Sequence, residues 1–296
     1  MNDVVTLPPF VSAQWLAAHH SEVVVADARW YLDGSSGREA FEAGHLPGAV
    51  FVDLDQWLSG PGSPETGRNP LPAPGVFAEG MTSLGISNHT PVVAYDDAGG
   101  VIAARLVWML RVTGHQAAVL DGGMAAWAGP LESGPGPLAE PAVEPATQPA
   151  MFKAAPWPDS MLAGIDELAL PGVTVADARN ADRFEGRQDP IDPRPGHIPG
   201  AVNVPCRANL EPSGRIKNTE EILQAFAAAG IDSAEKVISY CGSGVTACHN
   251  LLTMEHVGLG RGLLYVGGWS QYGHALDRPV ETGRSSAVRS PAGRNR

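Results

Sequence analysis

The stretch KVISYCGSGVTACHNLL, from Lys236 to Leu252, puts a cysteine where a β-branched apolar run stops and a glycine-rich turn begins. Gly242 and Gly244 permit positive φ, so the turn can aim successive N–H groups inward. Inward amides beside a helix start make an anion cradle, here spanning Gly242, Ser243, Gly244, Val245 and Thr246. The thiolate is the reactive form of cysteine, and Cys241 stands at the base of that cradle. The expected chemistry is that of a nucleophile which is anionic before and after reaction.

Other uses of a cysteine fit less well. Free Cys is often inert core packing, but a glycine-flanked strand end is a poor place for it. Zinc is disfavoured because Cys241 and Cys248 lie seven apart, with no CxxC and no second cluster. A cysteine phosphatase needs Cys-x5-Arg, and the sixth position after Cys241 is Ala247. Cys248, on one helical face with Leu251 and Leu252, and Cys206, after a Val-Pro, read as core.

The elements that must position this loop occur twice. VVVADAR (Val23–Arg29) returns as VTVADAR (Val173–Arg179), and GHLPGAV (Gly44–Val50) returns as GHIPGAV (Gly196–Val202). VVAYD (Val92–Asp96) returns as VISYC (Val237–Cys241), and DGGMAAW (Asp121–Trp127) as VGGWSQY (Val266–Tyr272). The order is conserved between halves, so the chain is two copies of one domain. The expected division is 1–132 for the first, 133–150 for a Pro/Ala-rich linker, 151–284 for the second and 285–296 for a flexible tail.

Within the second copy, Val173–Ala176, Val237–Ser239 and Leu263–Val266 read as buried strands, and Glu220–Gly230 as an amphipathic helix. This alternation predicts an α/β fold, each domain a largely parallel sheet with helices on both faces. Ligands of such sheets sit at the carboxyl ends of the strands, where Cys241 falls. His45, His197, Asp27 and Asp177 recur in both copies, although only one copy has the nucleophile, so they are expected to be structural.

Composition narrows the partners. The 296 residues carry a formal net charge of −12 and only three lysines, which argues against nucleic acid or an anionic membrane surface. No apolar run approaches the ~20 residues of a membrane span. Three cysteines are too few for a disulfide framework. With no basic and apolar leader at the start, the expectation is the cytoplasm.

The duplicated DAR…GH-P-GA halves and the CGSGVTAC loop closely resemble the two-domain sulfurtransferases, rhodanese and 3-mercaptopyruvate sulfurtransferase, from about Val11 to Thr282. The resemblance implies that Cys241 accepts sulfur as a persulfide, held by the loop amides, without metal or organic cofactor. It implies a small anionic donor and a thiol, cyanide or reduced thioredoxin-like acceptor. Asp96 takes the place of Cys241 in the first copy, in the longer loop DDAGGV, so that copy is expected to be catalytically inactive. Arg183, absent from the first copy's ARWYLDG, matches the arginine that binds the donor's anionic group, and either Arg187 or Arg194 is expected to be the second.

Gly242 and Ser243 resemble the Cys-Gly-Ser-Gly loop of mercaptopyruvate enzymes rather than the Cys-Arg-Lys-Gly of rhodaneses. Mercaptopyruvate leaves as an enolate that needs a proton, which Ser243 could donate or relay. Asp55 matches the acidic member of the family's Ser-His-Asp arrangement, but Asn69 stands where its histidine would be. Trp269 reads equally as a pocket wall or a core residue. Two alternatives stay open: a thiosulfate-specific rhodanese, and a persulfide carrier without turnover of small donors.

Overall fold

A computed structural model describes residues 7–137 and 151–284. The greater part of the expected linker and the whole expected tail lie outside them.

The first half builds a five-stranded sheet from β1 (Phe10–Val11), β2 (Val24–Asp27), β3 (Val50–Phe51), β4 (Val92–Tyr95) and β5 (Ala117–Leu120). The second builds a four-stranded sheet from β6 (Thr174–Asp177), β7 (Val202–Asn203), β8 (Val237–Tyr240) and β9 (Leu263–Leu264). The spatial orders are β1-β5-β4-β2-β3 and β7-β6-β8-β9. All strand pairs are parallel. Helices α1 (Ala13–His19), α2 (Gly37–Ala43), α3 (Pro74–Ser83) and α4 (Ala104–Val112) accompany the first sheet. Helices α5 (Ala181–Phe184), α6 (Thr219–Ala228), α7 (Ala247–His256) and α8 (Gly268–Tyr272) accompany the second.

The expected strands and helix stand within a residue or two of their places. β9 ends two residues early, at Leu264, ahead of the turn through Gly267 and Gly268. The expected helix begins at Thr219 because the Asn218 side chain accepts the Glu221 N–H at 3.0 Å. β4, β5 and β8 are buried at every residue, as parallel strands covered on both faces must be.

Registration sets the site. Asp27 pairs with Tyr95 and Asp177 with Tyr240, so each DAR segment ends beside the loop after β4 or β8. In both copies the arginine folds back on its aspartate: Arg29 on Asp27 at 2.7 Å and Arg179 on Asp177 at 2.6 Å. His45 and His197 do matching work. Each ring stacks on a phenylalanine, Phe41 or Phe184, and bonds that residue's carbonyl through Nδ1. Both pairs brace loops, as their duplication implied.

The halves are not separate beads. Helices α4 and α7 are buried almost all round, because each lies between its own sheet and the other domain. One apolar cluster runs through Val92, Trp108, Val237, Cys241 and Leu251, and a smaller cluster belongs to the outer side of each domain. The segment assigned above to the start of the second domain lies against the first: Phe152 packs edge-on to Phe77, and the Trp157 indole donates to the Pro72 carbonyl at 2.8 Å.

Candidate active site

Cys241 follows β8 and is 3 % exposed, at the floor of a cleft of about 520 Å³ between the domains. Trp30 and Ile102 line the cleft from the first domain, and Arg183, Cys206, Val245 and Thr246 from the second.

Most of the loop's carbonyls are tied into the protein, that of Ser243 apart. The Cys241 and Gly242 carbonyls accept the Trp269 and Ser270 N–H groups, each at 2.8 Å. Gly244 O accepts the Arg105 guanidinium at 3.1 Å and the Cys248 thiol at 3.4 Å. Val245 O and Thr246 O accept the Cys248 and His249 N–H groups. Among the described residues, no acceptor takes the N–H groups from Gly242 to Thr246. With those carbonyls tied down, the loop keeps five donors for an anion at Cys241. Two glycines make the turn possible. Gly244 has φ +73°, and a Cβ there would stand 2.5 Å from the Val266 carbonyl oxygen. Gly268 has φ +58°, and its Cβ would stand 2.7 Å from that of Gly242.

The first copy shows what such a loop holds. Asp96 is fully buried, and its Oδ1 accepts the Ala98 and Gly100 N–H groups at 2.8 and 2.7 Å. Its Oδ2 accepts those of Ile102 and Ala103 at 2.7 and 2.9 Å. Burial raises its pKa, against the pull of these four donors. The first cradle is thus filled by its own carboxylate, while the matching loop after β8 carries Cys241 in that place and leaves its N–H groups without an acceptor.

The other cysteines stay thiols. Burial pushes Cys206 and Cys248 up to about 12. Cys248 is core, as expected, whereas Cys206 also forms part of the cleft wall.

The arginines depart from expectation. Arg183, on α5, reaches the cleft with Nη1 3.5 Å from where a Cβ on Gly242 would stand. Arg187 does not: it is 61 % exposed and pairs with Glu185 at 2.8 Å. Arg194 is consumed by four carbonyls, those of Gly273, Arg278, Tyr272 and Ala275. The arginine that does stand opposite Arg183 is Arg68, from the first domain, whose Nη2 is 3.1 Å from the same Cβ position. Its backbone N–H donates to Ser270 Oγ at 2.9 Å, pinning it to α8. In the sequence Arg68 stands in the segment GRNPLP, directly before Asn69.

Ser243 is buried at the cleft beside Cys241. The relay behind it is not assembled. Asp55 accepts the Trp30 indole N–H at 3.1 and 3.2 Å, and the buried Asn69 Oδ1 meets no partner. Asn69 contributes its backbone carbonyl to Arg105 instead, at 3.2 Å. Trp269 is core rather than wall: it is fully buried, donates to the Arg194 carbonyl and lies under the Arg179 guanidinium.

Among the described residues, no cluster of His, Cys, Asp and Glu could hold a metal ion, and no helix is long and apolar enough to cross a membrane.

Comparison with known proteins agrees with this geometry. The profile of the "Rhodanese-like domain" matches twice, at residues 12–130 and 159–275. The chain is 39% identical over 283 residues to the "Probable 3-mercaptopyruvate sulfurtransferase" of Pseudomonas aeruginosa, covering 92% of this chain and 98% of that one. It is 37% identical over 286 residues to the 3-mercaptopyruvate sulfurtransferase of Escherichia coli K12, covering 92% and 97%. The solved 3-mercaptopyruvate sulfurtransferase from Leishmania major superposes with a TM-score of 0.79 at 32% identity, over 92% of this chain and 76% of that one. Two matched domains, one loop with a cysteine and one without, and relatives similar along nearly their whole length place this chain in the rhodanese-like family, among its two-domain sulfurtransferases.

Proposed function

We propose that the protein moves a sulfur atom from 3-mercaptopyruvate to a thiol or cyanide acceptor through a persulfide on Cys241. The carrying observation is the loop of unpartnered N–H groups around Cys241, set against the same loop filled by Asp96 in the first copy.

In the first half-reaction the Cys241 thiolate attacks the donor's sulfur. The sulfur–carbon bond breaks, and its electron pair remains on carbon as the pyruvate enolate. The donor's S–H proton ends on that carbon, giving pyruvate and leaving Cys241 as an anionic persulfide. Ser243 is the hydroxyl placed to pass this proton, without an imidazole behind it. The amides of Gly242, Gly244, Val245 and Thr246 stabilise the persulfide anion. In the second half-reaction an acceptor thiolate or cyanide attacks the outer sulfur and restores the Cys241 thiolate. Arg183 is the donor-binding residue. Arg187, Arg194 and Asp55, by their positions, have no part in it.

A reduced thioredoxin-like protein is a fitting acceptor, since the cleft opens beside Trp30 and the exposed Leu32. Three unpaired cysteines suit the cytoplasm. A second reading, thiosulfate as donor, is favoured by Arg68. It stands in the space where rhodanese-type loops carry their own cation.

The test compares kcat/KM for 3-mercaptopyruvate and thiosulfate with cyanide as acceptor, in wild type and Cys241→Ser. The expected result is a preference for 3-mercaptopyruvate, complete loss in Cys241→Ser, and a protein one sulfur heavier after donor treatment of wild type alone. Turnover by Cys241→Ser, or no sulfur ever retained, overturns the mechanism. A preference for thiosulfate overturns the donor assignment only.

A further inference from the structure

Arg105, on α4 of the first domain, is a cation with no exposed surface. Among the described residues all its acceptors are neutral carbonyls. Nη1 donates to Gly244 O at 3.1 Å, Nη2 to Leu58 O and Asn69 O at 3.3 and 3.2 Å, and Nε to Leu58 O at 3.4 Å. The other buried arginines, Arg29 and Arg179, each fold onto an aspartate, at 2.7 and 2.6 Å. A buried charge without an opposite one is costly, so the place to look for its partner is where Arg105 crosses into the second domain.

The Gly244 carbonyl and the Val245 N–H belong to one trans peptide, so they point opposite ways. Val245 lines the cleft beside Cys241 and Arg105 does not. The guanidinium therefore draws the carbonyl backward and leaves the Val245 N–H, which meets no acceptor among the described residues, on the cleft side. The same carbonyl takes the Cys248 thiol at 3.4 Å. Burial lowers the Arg105 pKa, while the Cys248 and Cys241 sulfurs, when ionised, raise it. Cys248 is itself pushed up to about 12 by burial and stays a thiol. Cys241 is left as the sulfur that can supply the missing negative charge. The cleft presents other charges to it: Arg68 and Arg183 over Asp192 and Asp189, Arg179 over Asp177, and Arg207. Asp33 and Asp97, with the neutral acids Tyr31 and Cys206, complete the lining. Arg68, Arg179 and Arg183 are already engaged by buried carboxylates, whereas Arg105 has neither water nor an acid to screen it.

We propose that Arg105, supplied by the catalytically silent domain, is a positioning residue for the reaction, aiming the Val245 N–H through the Gly244 carbonyl and providing the buried counter-charge for the Cys241 sulfur as thiolate and as persulfide. It acts from behind the loop and touches neither donor nor acceptor. The inference rests on the reading of Cys241 as the sulfur carrier. It gives the first domain, whose own loop is closed by Asp96, an electrostatic share in the chemistry of the second.

The experiment follows alkylation of Cys241 by neutral iodoacetamide as a function of pH, read at that residue by mass spectrometry, in Arg105→Met, Arg105→Gln and Arg105→Lys. Melting temperatures are recorded alongside. Removing the charge is expected to slow alkylation at pH 7 about tenfold, the scale of one charge-assisted contact. The deficit closes as the pH is raised and the thiol ionises in any case. Arg105→Lys keeps a cation and recovers most of the rate, although its melting temperature falls with those of the neutral variants. A purely structural arginine would lower all the melting temperatures and leave the pH profile in place. Alkylation within twofold of wild type at every pH in the neutral variants overturns the proposal. Arg105 also ties the Asn69 carbonyl, next to Arg68, so its loss would slow alkylation as well by displacing Arg68. Arg68→Met separates the two: the losses add in the double variant if Arg105 acts by itself, and no further loss there overturns the proposal. If neither neutral variant folds, spectra of wild type carrying nitrogen-labelled arginine decide. The Arg105 guanidinium resonances are expected to shift as Cys241 ionises and to stay fixed in Cys241→Ser, and fixed resonances in wild type overturn the proposal. None of these readings needs turnover. If wild type transferred no sulfur, the function would fall, while Arg105 would still be decided by the pH profile of alkylation.

Discussion

At the scale of single residues, Asp96 and Cys241 hold the same place in two copies of one loop, and the difference between them is the difference between a filled and an available anion site. The same comparison isolates Ser243. Its hydroxyl sits beside the nucleophile, yet Asp55 is spent on Trp30 and Asn69 replaces an imidazole. A lone hydroxyl can pass one proton but cannot store it. Its contribution therefore belongs at the lower end for general acid catalysis, about 10²-fold. It also belongs to one donor. Pyruvate enolate must gain a proton on carbon, whereas sulfite leaves thiosulfate without one. Ser243→Ala is expected to lower kcat for 3-mercaptopyruvate by about 10²-fold and to leave kcat for thiosulfate nearly unchanged, in parallel assays with cyanide. Equal losses for both donors would instead mean that Ser243 shapes the loop.

At the scale of elements, α7 serves two masters. Its start feeds the Cys241 loop, and its far side docks on the first domain. There Phe10, in β1, lies edge-on to two α7 rings, His249 at 5.4 Å and His256 at 5.3 Å between centroids. Both imidazoles are shifted down by burial, His249 from 6.5 to about 3, with Arg207 pushing the same way. A ring held neutral in the native state but free to protonate near 6.5 when unfolded makes the unfolded state the greater proton binder between those values. Stability is then fully present above pH 6.5 and falls as the solution is acidified, by about 1.4 kcal/mol per pH unit for one such group. From neutrality to pH 5 His249 alone accounts for about 2 kcal/mol. His249→Leu is expected to flatten the pH dependence of urea unfolding by about that amount. An unchanged slope would show that the ring is already charged in the native protein. His249 Nε2 has no partner, and Thr253 Oγ1, 3.4 Å from Nδ1, keeps its 2.8 Å bond to the His249 carbonyl when the ring is removed.

At the scale of the whole molecule, what could be read from the sequence was what repeats and what is local. Duplication announced two α/β domains, β-branched runs announced the buried strands, and CGSGVT announced the cradle, because each is encoded within a few consecutive residues. The arginine that faces Arg183 across the cleft was not legible. Arg187 and Arg194 are near Arg183 along the chain, but the short segment between Arg183 and His197 turns one to solvent and the other onto carbonyls at the end of α8. Arg68 is brought in only by the docking of one domain on the other, 202 residues from the serine that anchors its backbone. Arg105 escaped for the same reason. It is a fully buried cation on α4 that crosses to the Gly244 carbonyl, while also gathering those of Leu58 and Asn69. Burial lowers its pKa, so the carbonyls it collects are what keeps the charge tolerable there.

Such crossings, added to a continuous apolar cluster, make the two domains one cooperative unit. Leu252 tests this. It lies on α7, is 1 % exposed, and belongs to the cluster that includes Val92 and Ala94 of the first sheet as well as Val237 of the second. Leu252→Ala should cost about 2–5 kcal/mol, the transfer free energy of the lost atoms plus the cavity they leave. If the halves folded independently, that loss would appear only in the second. Because the cluster is shared, native-state hydrogen exchange should instead show the amides of β4 losing protection by the same free energy as those of β8. Protection of β4 that stays at the wild-type level while β8 drops would mean that the catalytic domain opens without its partner. Arg68 at the cleft and Arg105 behind the Gly244 carbonyl would then be only intermittently in place, because both come from the half that had stayed behind.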